Sequence, residues 1–424
     1  MLRTEKECIE YIHSAGRFGK KAGLCNIKAL LDILGNPQRD LKCIHVAGTN
    51  GKGSVSCMIS NILCAKGYKV GLNTSPYIEV FNERLSICGE FISADKLIYY
   101  TNLVADAIRK LNNIKPIEFE IITAIGFLYF KDEKCDYAVI ECGIGGLYDS
   151  TNVIENPTLC VICSLDFDHT EILGDTIEDI AYQKAGIIKD NSKTVVHPLV
   201  CDEAFKVIEK TATEKNSHLF KAEDNFEVIK EDLTGTCAVI DGIEINLSLL
   251  GTYQISNAAL CVKCARVLGI EDTYIKQGIE SARWKCRFEL VGYNTIIDGA
   301  HNYQGVCSFC QSVEKYIPGE NRVFIIGMLN DKDFNKSAKE LSNLKGEFIV
   351  TDVPSTRQTD GKSVYECIKN YIPSAKYIPN YEEAYTYARI RGGEGFVCIA
   401  GSLYLAGALR TFINKNSHFP SKEK

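Results

Sequence analysis

Short apolar runs rich in β-branched residues alternate along the chain with longer stretches whose apolar positions recur every three or four residues. The first kind has the period of a strand and the second that of a helix packed on one face. Strands are expected at 41–46, 69–73, 137–141, 159–164 and 193–196, with helices near 54–65, 94–111, 118–130 and 176–188. Strand followed by helix, repeated, is the signature of a parallel α/β sheet. Residues 219–250 break the rhythm: in "FEVIKEDLTGTCAVIDGIEINLSLLG" glycines punctuate short strands, and a small β insertion is expected. After Trp284, the single tryptophan, the series restarts with strands at 294–298, 322–327, 347–352 and 395–400, each followed by a helix. The restart predicts two domains, 1–285 and 286–424, the first carrying the β insertion at about 219–250.

Bulk properties narrow the classes. At 424 residues the chain has room for two or three cores. A formal net charge of −6 argues against a nucleic-acid binder, which needs basic surface. No apolar run reaches the roughly 18 residues of a membrane span, and "MLRTEKECIEYIHSAG" carries charge where a signal peptide is apolar. The expectation is a cytoplasmic monomer with no membrane partner. Nineteen cysteines then read as reduced, small hydrophobes. "CVKC" (Cys261, Cys264) and "CSFC" (Cys307, Cys310) have zinc-knuckle spacing, but both lie in helical patterns and read as packed helix faces.

One stretch carries chemistry openly. "CIHVAGTNGKGSVSCMI" runs from a strand through Gly48, Thr49, Asn50, Gly51, Lys52, Gly53 and Ser54 into a helix. Strand, Gly-rich turn and helix are the setting of a phosphate-binding loop, although the spelling departs from G-x-x-x-x-G-K-[ST]. Glycines let backbone N–H groups approach phosphate oxygens, the helix adds its positive end, and Lys52 can neutralise the β/γ-phosphates. Ser54 is placed to reach phosphate or Mg²⁺. "CGIGG" is not a dinucleotide fingerprint, since Tyr148 occupies the last glycine position. The N-terminal domain is therefore a P-loop-type parallel-sheet domain and the C-terminal one a Rossmann-like α/β domain.

This spelling resembles the ATP loop of the Mur ligase superfamily, and the rest resembles its folylpolyglutamate synthase/dihydrofolate synthase branch. The blocks that carry the resemblance follow in order: "NTSPYIEVFNERL", "PIEFEIITAIGFLYF", "DYAVIECGIGGLYDSTNV", "DFDHTEILGDTIEDIAYQKAGIIK", "LLGTYQISNAAL", "ARWKCRFE", "DGAHN", "GMLNDKD" and "GSLYLAG". The resemblance implies an ATP-dependent ligase joining L-glutamate to folates, or also to dihydropteroate, through an acyl phosphate. A cell-wall Mur-type ligase and a nucleotide-switched regulatory ATPase stay open as alternatives. Tyr77, Ile117, Tyr253 and Tyr303 depart from the family's spelling, and these departures are expected mostly on the acceptor side.

The chemistry fits the residues. A carboxylate approaching a triphosphate needs divalent metal and fixed positive charge. Glu141, at a predicted strand end beside Gly143, Gly145 and Gly146, and Ser75, at the mouth of the preceding strand, are oxygen donors suited to Mg²⁺. The resemblance gives both that role, adds His169 as ligand of a second Mg²⁺, and assigns Arg287 and Asp298 to ATP, with His301 in the same block as a catalytic residue. It places Phe119, Asp149 and Ser150 with Arg84 at the folate, and Lys332 and Asp333 at the incoming glutamate. Lys184 shares its helix with apolar Ile180, Ala181, Ala185 and Ile188, so it is expected to point inward. A buried lysine loses its proton readily and can take up carbon dioxide. The resemblance implies that carbamate, as a metal ligand near His169, against an unmodified lysine paired with Glu141 or with phosphate.

Overall fold

The computed structural model describes residues 1–16, 23–112, 114–329, 334–355 and 360–416. The chain forms two compact units. The first comprises Met1–Ile229, Cys237–Leu247 and Ile255–Ala282; the second comprises Lys230–Thr236, Ser248–Gln254 and Arg283–Lys424.

Among the described residues of the first unit, eight strands form one sheet in the order β4-β3-β2-β5-β1-β6-β7-β8. They are β1 (Cys43–Ala47), β2 (Val70–Asn73), β3 (Leu85–Ile87), β4 (Glu90–Phe91), β5 (Tyr137–Glu141), β6 (Leu159–Ile162), β7 (Lys193–Val196) and β8 (His218–Lys221). From β2 to β8 neighbours are parallel, and β3 and β4 run antiparallel at one edge. Every residue of β1 is buried, as expected of a central strand covered on both faces. The expected β insertion begins later than its composition suggests, because β8 joins the large sheet. A separate three-stranded sheet holds β9 (Phe226–Asp232), β10 (Gly235–Ile240) and β11 (Ile243–Leu247). In β11 Ile243, Ile245 and Leu247 are buried and the residues between them exposed, the period of two that a half-covered strand requires.

Helix Glu118–Asp132 is apolar nearly all round and lies inside the core: Ile121, Ile125, Phe127 and Phe130 are almost wholly buried. It packs with Ile12, Leu30 and Leu97 of helices Glu5–Ser14, Cys25–Ile33 and Ala94–Arg109. The first two of these helices were not anticipated, although Thr4 and Glu7 form a capping box that starts one of them. A second core gathers Ala47, Ile162, Ala181, Ala185 and Ile208.

The second unit has its own six-stranded sheet among the described residues, ordered β12-β13-β17-β14-β15-β16. Its strands are β12 (Glu289–Val291), β13 (Thr295–Ile297), β14 (Arg322–Ile326), β15 (Glu347–Val350), β16 (Lys376–Tyr377) and β17 (Phe396–Ala400). β12 is antiparallel to β13 and the remaining pairs are parallel. β12 and β16 are too short to leave a periodic signal in the sequence. Phe288, Phe309, Phe324 and Phe348 fill this core. Cys310 is buried in helix Tyr303–Tyr316, and Cys261 and Cys264 of the first unit are buried in helix Gln254–Val267.

Candidate active site

Parallel strands place their C-terminal ends at one edge of the sheet, where open α/β folds bind ligands. The register aligns Val46 with Glu141, Ala47 with Ile162 and Asn73 with Ile140. The turns that follow therefore emerge side by side, bearing Gly48, Ser75, Gly143 and His169.

The loop after β1 is tied down from below. Thr49 donates its N–H to the Ser164 carbonyl at 2.8 Å and its hydroxyl to the Asp166 carbonyl at 2.9 Å. Gly48 (φ 157°) passes so close to the neighbouring strand's continuation that a Cβ there would stand 2.5 Å from Cys163 Cβ. Gly51 adopts φ 84° and opens helix Lys52–Ala65 without a side-chain cap. The first turn of that helix thus presents backbone donors in the manner of an anion site. A Cβ on Gly51 would meet Asn257 Oδ1 at 2.6 Å, so the amide of Asn257 lies directly against the loop. Nothing local in "LLGTYQISNAAL" marks Asn257 for this role, since its approach depends on the packing of helix Gln254–Val267. His197, buried and itself hydrogen-bonded to Asn257, escaped notice for the same reason.

Lys52 Nζ donates to the Gly48 and Thr49 carbonyls, both at 3.1 Å. Lys184 does point inward: it is 3% exposed and donates to the Gly48 carbonyl at 2.9 Å. Burial, then the charge of Lys52, pushes its pKa down to about 7. Its helix, Ile177–Ala185, starts at a Thr176/Asp179 capping box. The Gly-rich turn after β5 clamps the other end of that helix. Leu147 N–H donates to the Gln183 carbonyl at 2.6 Å, and a Cβ on Gly146 would strike the Gln183 and Lys184 carbonyls.

Glu141 is buried and accepts the Ser75 N–H at 3.1 Å. The charges of Glu141, Lys52 and Lys184 are all felt at the Cys163 thiol, which burial pushes up to about 12. Asp168 acts on Lys184 in the same way. His169 sits at φ 51° as the N-cap of Thr170–Leu173, its Nε2 3.9 Å from Asp168 Oδ1. Among the described residues no three His, Cys, Asp or Glu side chains converge as a metal cage. The expected set Ser75, Glu141, His169 and Lys184 thus comprises a hydroxyl, one buried carboxylate, a ring and an amine.

The residues expected at the folate divide into two groups. Arg84 is buried and turns inward: its guanidinium meets Glu118 Oε1 at 3.1 Å and lies 5.3 Å from the Tyr77 ring centre and 5.6 Å from that of Phe81. His13 Nδ1 stands 3.2 Å from the other Glu118 oxygen. Phe119 packs over the Gly-rich turn, where a Cβ on Gly143 would come 2.9 Å from its ring. Asp149 is spent on building that turn, accepting from Ile144 N–H at 2.9 Å and from Thr151 N–H at 3.0 Å. Burial raises its pKa against those hydrogen bonds. Ser150 follows it, buried, in the short helix Ser150–Val153.

In the second unit Asp298 is likewise consumed locally. It accepts from Phe288 N–H and Ala300 N–H, both at 2.7 Å, and from the Tyr253 hydroxyl at 2.9 Å. Burial raises its pKa, and Arg287 opposes the rise. Arg287 Nη1 would lie 2.9 Å from a Cβ on Gly299, so the guanidinium covers the Asp298 turn. Tyr253, one of the departures from the family's spelling, belongs to this cluster. His301 Nδ1 lies 2.8 Å from the Gly299 carbonyl, and Asn302 caps helix Tyr303–Tyr316 through Gly305 N–H at 2.8 Å. Lys332 and Asp333 lie outside the described residues.

Residues 46–265 match the Mur ligase middle domain, and residues 286–403 the Mur ligase glutamate ligase domain. The dihydrofolate synthase/folylpolyglutamate synthase of Bacillus subtilis is 33% identical, over 97% of this chain and 99% of its own. The folylpolyglutamate synthase of Lacticaseibacillus casei is 36% identical, over 95% and 97%. The Mycobacterium tuberculosis folylpolyglutamate synthase complexed with ADP superposes with a TM-score of 0.87 at 25% identity, covering 96% of this chain and 98% of that one.

Proposed function

The chain belongs to the Mur ligase family, in its folylpolyglutamate synthase/dihydrofolate synthase branch, and from that membership we propose that it joins L-glutamate to a folate at the expense of ATP. The observation that carries the reading is the convergence of Lys52 and Lys184 on the loop Gly48–Ser54, with the buried Glu141 carboxylate in the same electrostatic neighbourhood.

A folate carboxylate oxygen attacks the γ-phosphorus of ATP, the bond to the β-phosphate oxygen breaks, and ADP leaves. The glutamate amine then attacks the acyl carbon, loses a proton, and expels inorganic phosphate. Both steps bring anions together, so catalysis rests on fixed positive charge and positioning. Lys52, now held by its own loop carbonyls, turns to the β/γ-phosphate oxygens. Backbone donors of the loop hold the phosphates, and the Asn257 amide lies against Gly51. Arg287, Asp298 and His301 are assigned to the nucleotide side of the C-terminal unit, and Phe119, Asp149 and Ser150 to the acceptor side.

Two Mg²⁺ belong to this reading. Glu141 and Ser75 are oxygen donors on a rigid strand edge and fit a hard cation that keeps phosphate and water as its other ligands. His169 is the softer match. Lys184 would join them as a carbamate, formed when the neutral amine adds to carbon dioxide and releases a proton. The bound ions would neutralise charge between the carboxylate and the triphosphate. The protein is assigned to the cytoplasm as a monomer; no described helix is long and apolar enough to cross a membrane.

The experiment is ADP release with glutamate plus tetrahydrofolate, with glutamate plus dihydropteroate, and with each component omitted. Turnover that requires both acceptor and glutamate is expected. Turnover with ATP alone would favour a regulatory ATPase, and turnover only with a peptidoglycan precursor would favour a cell-wall ligase. The name carried by the Bacillus subtilis relative makes dihydropteroate the second acceptor to examine.

A further inference from the structure

Two cysteines outside the site lie much closer than packing requires. Cys64 Sγ and Cys88 Sγ are 2.6 Å apart. A disulfide bond measures about 2.05 Å between sulfurs, so a small movement separates this pair from bonding distance. Cys64 belongs to the last turn of helix Lys52–Ala65, and Cys88 to the turn between β3 and β4.

That turn is built to hold the sulfur in place. Ile87 pairs with Glu90, leaving Cys88 and Gly89 as a two-residue hairpin loop with φ 46° and 89°. Both central residues of such a turn need positive φ, which favours Asn-Gly; a cysteine here is conformationally costly. The Cys88 N–H donates to the Val70 carbonyl at 3.0 Å, and the Val70 N–H approaches Cys88 Sγ at 3.4 Å. Both the backbone N–H and the sulfur of Cys88 are therefore held against β2. Cys88 is exposed and Cys64 half-buried, so an oxidant can reach the pair.

We propose that Cys64 and Cys88 form a reversible intramolecular disulfide, made by exchange with a small-molecule disulfide. The exposed Cys88 thiolate attacks one sulfur of the oxidant, giving a mixed disulfide and releasing one thiolate. The Cys64 thiolate then attacks the Cys88 sulfur, the mixed bond breaks, and a second thiolate leaves. The protein loses two protons and two electrons, and the oxidant becomes two thiols. Burial and the adjoining Cys88 sulfur push the Cys64 thiol upward, consistent with Cys88 meeting the oxidant first. The bond ties the far end of the helix that Lys52 begins to the hairpin that starts directly after Arg84. In a reducing compartment such bonds are transient and report redox state.

The test is independent of activity. The reduced full chain is incubated with oxidised glutathione, free thiols are blocked with N-ethylmaleimide, and the unreduced protein is digested with trypsin. Cleavage after Lys52, Lys66, Arg84 and Lys96 separates the two cysteines. The expected product is peptide 53–66 linked to peptide 85–96, with dithiothreitol reversing it. Cys64→Ser must abolish the link and leave a glutathione adduct on Cys88, while Cys57→Ser and Cys135→Ser must keep the link. A wild-type protein that retains glutathione on Cys88, links Cys88 to Cys135, or keeps the link in Cys64→Ser would overturn the proposal.

Discussion

Lys52 and Lys184 direct their amines at the same acceptor, the Gly48 carbonyl, at 3.1 and 2.9 Å. Two protonated amines sharing one neutral oxygen would repel each other, and this repulsion adds to burial in bringing the Lys184 pKa down to about 7. An anion delivered to this point, whether phosphate or a carbamate on Lys184 itself, removes the conflict. The pair is in this sense poised for charge that arrives with the substrates.

Lys52→Ala is expected to lower kcat for ADP formation by about three orders of magnitude, the scale set by removing a group that stabilises transferring charge. The thermal midpoint should stay within a few degrees of the parent, since Lys52 is only half-buried and bonds its own loop. Near-normal ADP production by the folded variant would contradict the loop assignment.

Lys184→Ala tests the carbamate. Loss of most activity is expected, with partial recovery on adding formate or acetate, whose carboxylate can occupy the vacated space. An unmodified lysine acting as a cation would show no such recovery, and would instead be served by Lys184→Arg.

Arg84 carries a different expectation. Its guanidinium offsets the buried Glu118 carboxylate, and breaking one side of a buried pair costs about 3–5 kcal/mol. Arg84→Ala should therefore lower stability by about that amount in a denaturant titration, and adding Glu118→Gln should restore part of it. A fully stable Arg84→Ala protein whose only defect is a raised acceptor KM would place Arg84 at the folate and not in the scaffold.

Two buried histidines set an acid limit. Burial, with a lesser contribution from the Lys189 charge, lowers His45 from 6.5 to about 3, and burial lowers His197 from 6.5 to about 4 despite its bond to Asn257. As pH falls below 6.5 the unfolded chain takes up these protons first, so stability is lost down to the folded-state values. Each histidine contributes a slope approaching about 1.4 kcal/mol per pH unit. Denaturant titrations between pH 7 and pH 4 should show this fall, and His197→Gln should reduce its steepness; an unchanged slope would contradict the assignment.

How legible the site was depended on whether a signal was local. The loop Gly48–Ser54 and the inward turn of Lys184 could be read because strand, helix and apolar spacing lie within a few residues of the chemistry. Asp149 and Asp298 could be marked but not understood: each carboxylate serves backbone N–H groups of its own turn, and that depends on how the turn folds. Asn257 and Glu118 were invisible as site residues for a related reason, since their partners come from distant segments. The eighth strand was misassigned to the insertion because its edge position in the large sheet leaves all four of its residues exposed or half-buried, like those of β9.

The central claim is that the folate carboxylate is activated by direct phosphorylation. Tetrahydrofolate labelled with ¹⁸O in its side-chain carboxylate, turned over with ATP, Mg²⁺ and L-glutamate, should deliver one labelled oxygen to each inorganic phosphate released. Unlabelled phosphate, with glutamate nonetheless joined to the folate, would contradict the acyl phosphate route.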